Sequence, residues 1–155
     1  MEQATIAPIV KSVTVNCSQE QAFRVFTQRF GEWWPLRTHS MGEENAESAV
    51  LEPRVGGRIY ELNRGGQEGY WGTVTLWDPP NRLEFDWQVN PTAPGPTHVA
   101  VCFTPQGETT VVELEHGRWE IHGPQADEAR GSYASEGGWA LVLEGFARMA
   151  NSRSD

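Results

Sequence analysis

Four histidines, three tyrosines and a few carboxylates near apolar runs hold most of the chemistry open to this chain. His116 sits two residues after Leu114 in an alternating run, on the parity of its apolar side chains. A free imidazole titrates near pH ~6.5, which suits a general base. The same position equally suits an edge histidine satisfied by backbone. His116 with Tyr60 or Glu61 is the best candidate acid–base pair, provided the groups converge on one point. His39, in Thr38-His39-Ser40, reads either as a ligand donor or gate, or as a loop histidine capping a backbone group. Tyr133 offers a second hydroxyl, although a buried tyrosine usually finds a protein partner. His98 falls on the outward parity of its strand, and His122 lies in a loop. Glu52 with Arg54 or Arg58 makes a structural ion pair, or else an arginine fork for a ligand carboxylate.

Other chemistries lack their residues. Structural zinc wants four closely spaced Cys or His ligands. His116 and His122 have no third ligand near in sequence, and Cys17 and Cys102 lie far apart. Gly56-Gly57 and Gly65-Gly66 do not open helices, so neither cradles phosphate. We therefore expect no metal and no cofactor. A net charge of −9 without a basic stripe argues against nucleic acid and anionic membranes as partners. The start, MEQATIAP, lacks a signal-peptide pattern, and no apolar run is long enough to span a bilayer. These features read as a cytoplasmic protein with reduced thiols.

Seven strands and two helical regions must position these groups. Ile6 to Asn16 alternates as a strand. Ser18 offers an N-cap, with Gln21 completing a capping-box pattern. Ala22, Phe23, Phe26 and Phe30 share one face of the helix that follows. Gly31 ends it, and a second short helical turn fits around Glu32 to Trp34. Strands are expected at Val50–Glu52, Arg58–Leu62, Tyr70–Trp77, Arg82–Val89, Val99–Phe103 and Thr110–His116. Gly-, Pro- and Asn-rich turns separate them. From about Ala126 to Ala150 the period is helical, weakened or bent at Gly137-Gly138. One domain spans the 155 residues, with a core from about 8 to 150. Consecutive hairpins imply an antiparallel sheet with both helical regions on one side, an α+β architecture.

The Asp78–Asn81 turn sets a register of Leu76 opposite Leu83, Val74 opposite Phe85 and Gly72 opposite Trp87. All six then face inward. Gly72 adds no volume there and reads as a bend or a place of close approach. Strict alternation puts Trp71 and Trp77 on the outer face, as capped rings or as a homodimer or partner surface.

Phe26 to Gly42, reading FTQRFGEWWPLRTHSMG, resembles the START-like SRPBCC superfamily, and within it the branch of heat-shock-protein-90 ATPase activator homologues. Glu52-Pro-Arg-Val-Gly-Gly-Arg58, Trp71-Gly-Thr-Val, Asp78-Pro-Pro-Asn-Arg-Leu83 and Gly138-Trp139 support it. The resemblance implies a helix-grip fold, with a seven-stranded sheet wrapped around a long C-terminal helix and a cavity between them. It also implies a hydrophobic small molecule as ligand. In such a cavity the sheet would present Tyr60, Gly72, Val74, Phe85, Trp87, Val101 and His116. The helical side would present Trp34, His39, Tyr133, Trp139 and Leu143. A cyclase or hydrolase in the same cavity, and a co-chaperone or other protein-interaction module, are the competing readings.

Overall fold

The computed structural model describes residues 7–35, 45–88, 95–134 and 138–151. Its strands are β1 (Ile9–Val15), β2 (Ala46–Leu51), β3 (Arg58–Asn63), β4 (Glu68–Asp78), β5 (Arg82–Trp87), β6 (Thr97–Gln106) and β7 (Thr109–Gly117). They form one antiparallel sheet in the order β1-β7-β6-β5-β4-β3-β2. Each hairpin from β2 to β7 makes sequence neighbours into spatial neighbours, and β1 closes on β7 at the far edge. The helices are α1 (Gln19–Gln28), α2 (Phe30–Trp33), α3 (Ala126–Ala134) and α4 (Trp139–Asn151). A 3-10 segment, Trp119–Gln125, leads into α3 and has no counterpart in the sequence reading. This is the expected α+β helix-grip arrangement.

Local chemistry explains the helix ends. The Ser18 hydroxyl accepts the Gln21 N–H at 3.1 Å and so caps α1. The Gln21 side chain accepts from Arg24 at 3.4 Å. Ala22, Phe23, Val25 and Phe26 bury one stripe of α1. The C-terminal helical region is two helices rather than one. Gly138 precedes α4 where a Cβ would collide with the Tyr133 carbonyl, so only glycine lets α3 and α4 approach there.

Two bulges overturn part of the expected inner face. Val74 pairs with Phe85 and Gly72 with Trp87, as read from the turn. Between Val74 and Leu76 the register slips by one residue, so Leu76 lies opposite Glu84 and Trp77 opposite Leu83. Trp77 therefore turns inward, with its ring 5.1 Å from Phe23. A second slip on the β3 side pairs Ile59 with Gly72 but Tyr60 with Tyr70, leaving Trp71 as the extra residue. A bulge adds one residue to one strand and resets alternation beyond it. Trp71 is fully buried as a result, and a homodimer built on outward Trp71 and Trp77 loses its basis.

Gly72 does not leave open space. A Cβ there would strike the Asp86 carbonyl oxygen, so the glycine permits β4 and β5 to draw together.

The core between sheet and helices has two unlike halves. One is hydrocarbon: Phe26 meets Phe103, Phe146 and Trp33 at ring distances of 5.7, 5.2 and 5.0 Å. The other is built from Trp34, Trp71, Trp87, Trp119 and Trp139, and it holds the buried polar side chains Glu61, Thr97 and His116.

Candidate functional site in the tryptophan array

Four indoles form the centre of the second half. Trp34 lies 5.2 Å from Trp71, 5.6 Å from Trp87 and 5.9 Å from Trp139. Trp87 in turn touches Trp71 at 5.7 Å and Trp139 at 5.6 Å. None of these pairs is stacked face to face, and tilted or edge contacts are the arrangements ring quadrupoles favour. The four come from the end of α2, from β4, from β5 and from the start of α4. Only the closed fold brings them together.

Buried indole N–H groups require acceptors, and the array supplies them. Trp71 Nε1 donates to Glu61 Oε1 at 2.6 Å. Trp139 Nε1 donates to His116 Nδ1 at 2.8 Å. That bond assigns the lone pair to Nδ1 and the proton to Nε2, which donates to Thr97 Oγ1 at 2.6 Å. The Thr97 hydroxyl passes its own proton to the Trp87 carbonyl at 3.2 Å. Trp119 Nε1 donates to the His116 carbonyl at 2.8 Å, and its ring lies 4.2 Å from the imidazole.

His116 is thus a neutral structural hub. Burial pulls its pKa from the usual 6.5 down to about 3, with the His122 and His98 charges adding to the shift. Both ring nitrogens are engaged, which leaves no free basic nitrogen for proton abstraction. The depressed pKa also sets a pH dependence. The unfolded chain takes up a proton as pH falls below ~6.5, whereas the folded chain resists until about 3. Stability from this group is therefore complete above ~6.5 and declines as pH falls from there toward 3, by at most about 1.4 kcal/mol per pH unit. Urea unfolding at several pH values should show this slope, and His116→Gln should flatten it. An unchanged slope in the variant would mean that other groups drive acid unfolding.

The remaining candidates divide by face. Val74, Phe85, Val101 and Leu143 are buried in the core with the array or beside it. Tyr60 does not join them. Ile59 and Glu61 face inward, and the intervening Tyr60 points the other way, with the Arg58 guanidinium 4.4 Å from its ring centre. The proposed His116–Tyr60 pair is therefore separated by the sheet, because alternate side chains in β3 take opposite faces. Glu61 and His116 both face inward, on strands β3 and β7, with the indoles between them. His39 lies outside the described residues. Glu52 carries the ion pairs read from sequence, with Arg54 at 3.3 Å and Arg58 at 3.7 Å. The Arg58 backbone N–H, followed by those guanidinium charges, holds its carboxyl below the usual range. Arg58 also bridges to Glu68 at 3.2 Å, so its fork is occupied by protein carboxylates.

Sequence reasoning passed over Trp119 and Thr97. Trp119 follows β7 by two residues in a segment with no clear period, and Thr97 opens β6 after a proline-rich stretch. The inward parity of Val99 and Val101 extends back to Thr97 and could have marked it.

Tyr133, on α3, receives the Trp87 Nε1–H at 3.3 Å. Burial raises its pKa, with the Trp87 bond acting in the opposite direction. Two surface clefts are formed by described residues. One, of about 410 Å³, lies between the α1–α2 corner and β2, and the other, of about 330 Å³, lies between α1 and the turn after β4. Neither of these two lies between the sheet and α4. Among the described residues no group of three His, Cys, Asp or Glu side chains converges as metal ligands, and Cys17 and Cys102 form no disulfide with each other. Among the described residues, no helix is long and apolar enough to cross a membrane.

The family model for activator of Hsp90 ATPase homolog 1-like proteins matches residues 16–151. The chain belongs to that family. No curated protein sequence matches it. Among solved structures it is similar to Txn09, an anthrahydroquinone γ-pyrone synthase solved as a complex, at 35% identity and a TM-score of 0.63, covering 93% of this chain and 97% of that one. It is also similar to CalC, a self-sacrificing resistance protein from Micromonospora echinospora, at 25% identity and a TM-score of 0.68, with 94% and 95% covered. A protein from Mesorhizobium loti shares the fold at 20% identity and a TM-score of 0.66, with 96% and 98% covered.

Proposed function

We propose that this family member binds a planar aromatic small molecule against the Trp34–Trp87–Trp139 surface. The carrying observation is the contiguous set of indoles, which with Trp71 joins four separate elements and is bordered by the Tyr133 hydroxyl. Apolar walls with a few placed polar groups suit small-molecule recognition. The described indoles contact one another at ring-centre distances of 5.2–5.9 Å, so a guest seated among them would displace rings. Rotation of an indole into a new rotamer would expose a face for stacking. The name of one similar structure, a synthase of an anthrahydroquinone γ-pyrone, supports a polycyclic ligand. The reading needs no cofactor, nucleic acid or membrane, and a cytoplasmic location is part of the proposal.

Titration with 1,8-dihydroxyanthraquinone should quench tryptophan emission saturably. It should also raise the unfolding midpoint, since a hundredfold excess over Kd stabilises by about 2.7 kcal/mol. Linear, non-saturating quenching with no thermal shift would remove the proposal.

A second reading, turnover in the same place, is favoured by Glu61. It is a fully buried carboxylate beside the rings, with Trp71 Nε1–H on one oxygen. In that reading Glu61 takes a proton from the ligand and Tyr133 returns one, a division of labour suited to ring closure. Conversion of a bound polyketide-like phenol, lost in Glu61→Gln with binding retained, would establish it.

A further inference from the structure

At the part-buried border of the array one hydroxyl proton has no acceptor among the described residues. Every buried donor described above is matched: Trp71 by Glu61, Trp139 by His116, His116 by Thr97, Thr97 by the Trp87 carbonyl, and Trp119 by the His116 carbonyl. Tyr133 differs. Its oxygen accepts from Trp87 Nε1, and its own proton meets no acceptor among the described residues. The nearby imidazole cannot serve, because Nδ1 already accepts from Trp139 and Nε2 is a donor. Nor can the phenol easily swing away. Its ring is stacked on Trp139 at 6.1 Å and 27°, meets His116 edge-on at 4.9 Å, and lies 5.5 Å from Trp119.

We propose that the Tyr133 hydroxyl donates to a carbonyl oxygen of the aromatic ligand, so that the site selects ketone- or quinone-type rings over hydrocarbons of the same shape. This rests on the aromatic-ligand reading above and adds the polar feature that the ligand must carry. A neutral acceptor fits better than an anion. The chain carries a net charge of −9, which disfavours the approach of an anionic ligand relative to a neutral one. The donor is already held by Trp87 and the neighbouring rings, so little side-chain freedom is lost when the acceptor arrives. An unmatched donor facing a hydrocarbon has no such partner, and a missing acceptor costs more than a spare one.

The test compares 9-fluorenone with fluorene, which share a ring system and differ by one carbonyl. Both are titrated by tryptophan quenching into the wild-type chain, Tyr133→Phe and Trp87→Phe. Fluorenone should bind the wild type about tenfold more tightly than fluorene, the scale of one net hydrogen bond. Tyr133→Phe should bring the ratio of fluorenone to fluorene affinity to about one. Trp87→Phe retains the donor and should keep the preference even if both affinities fall. If the preference is absent in the wild type, or persists in Tyr133→Phe, the assignment of Tyr133 is overturned although the aromatic-ligand reading stands. If neither compound binds the wild type, the broader reading fails and this one fails with it.

Discussion

Trp139→Ala is expected to lower stability by about 3–5 kcal/mol, the range for deleting a large buried aromatic side chain. The indole is 2% exposed and opens α4, where it contacts Trp34, Trp87, His116 and Tyr133. Removing it does two separable things. It leaves a ring-sized void that the surrounding rigid rings can only partly collapse into. It also strips His116 Nδ1 of its donor, leaving a buried acceptor unmatched. Trp139→Phe keeps most of the volume and loses only the N–H, so it should cost less, about 1–3 kcal/mol. In a domain of this size each kcal/mol moves the midpoint by roughly 2–4 °C, so calorimetry resolves the two variants readily. Ligand binding should be lost in Trp139→Ala at temperatures where the fold survives. A midpoint within a degree or two of wild type would show that the array is not a stabilising core.

Gly72→Ala is the second large effect, and it acts through the backbone. The added methyl would collide with the Asp86 carbonyl oxygen, so β4 and β5 must separate locally. Gly72 also sits at the junction of the β3 slip, paired with Ile59 on one side and Trp87 on the other. Parting these strands strains the pairing on both sides and shifts Trp71 and Trp87 together. A loss of about 3 kcal/mol or more is expected, since overpacking alone costs 1–3 kcal/mol and ladder hydrogen bonds are lost as well. Denaturant unfolding checks the magnitude. Tryptophan emission of the native state should also shift, because two array members move. If Gly72→Ala proves neutral, the strands are farther apart than the structure has them.

Much of the architecture was readable because it depends on local pattern. The seven strands, their hairpin order, the Ser18 cap and the helical break near Gly138 all follow from alternation, turn residues and glycine chemistry. These signals survive in a single sequence because they act over a few residues. The inward parity of Phe85, Trp87 and His116 was legible for the same reason, whereas β3 was expected to turn Tyr60 inward and instead buries Ile59 and Glu61. Trp71 and Trp77 were misplaced because a bulge leaves no local mark. One extra residue in β4 reverses every assignment beyond it, and whether a strand bulges depends on what its neighbours pack against.

The amino-acid sequence by itself determined an antiparallel sheet gripped by C-terminal helices, a family membership, and an inner face rich in indoles. Tertiary structure alone decided that Trp34, Trp71, Trp87 and Trp139 meet in one array, that His116 is a neutral hub with both nitrogens engaged, and that the Tyr133 hydroxyl receives the Trp87 N–H. It also decided that Gly72 closes space rather than opening it. The physical reason is range. Periodicity and turn chemistry are properties of neighbours along the chain, whereas hydrogen-bond matching and protonation state belong to groups brought together only by folding.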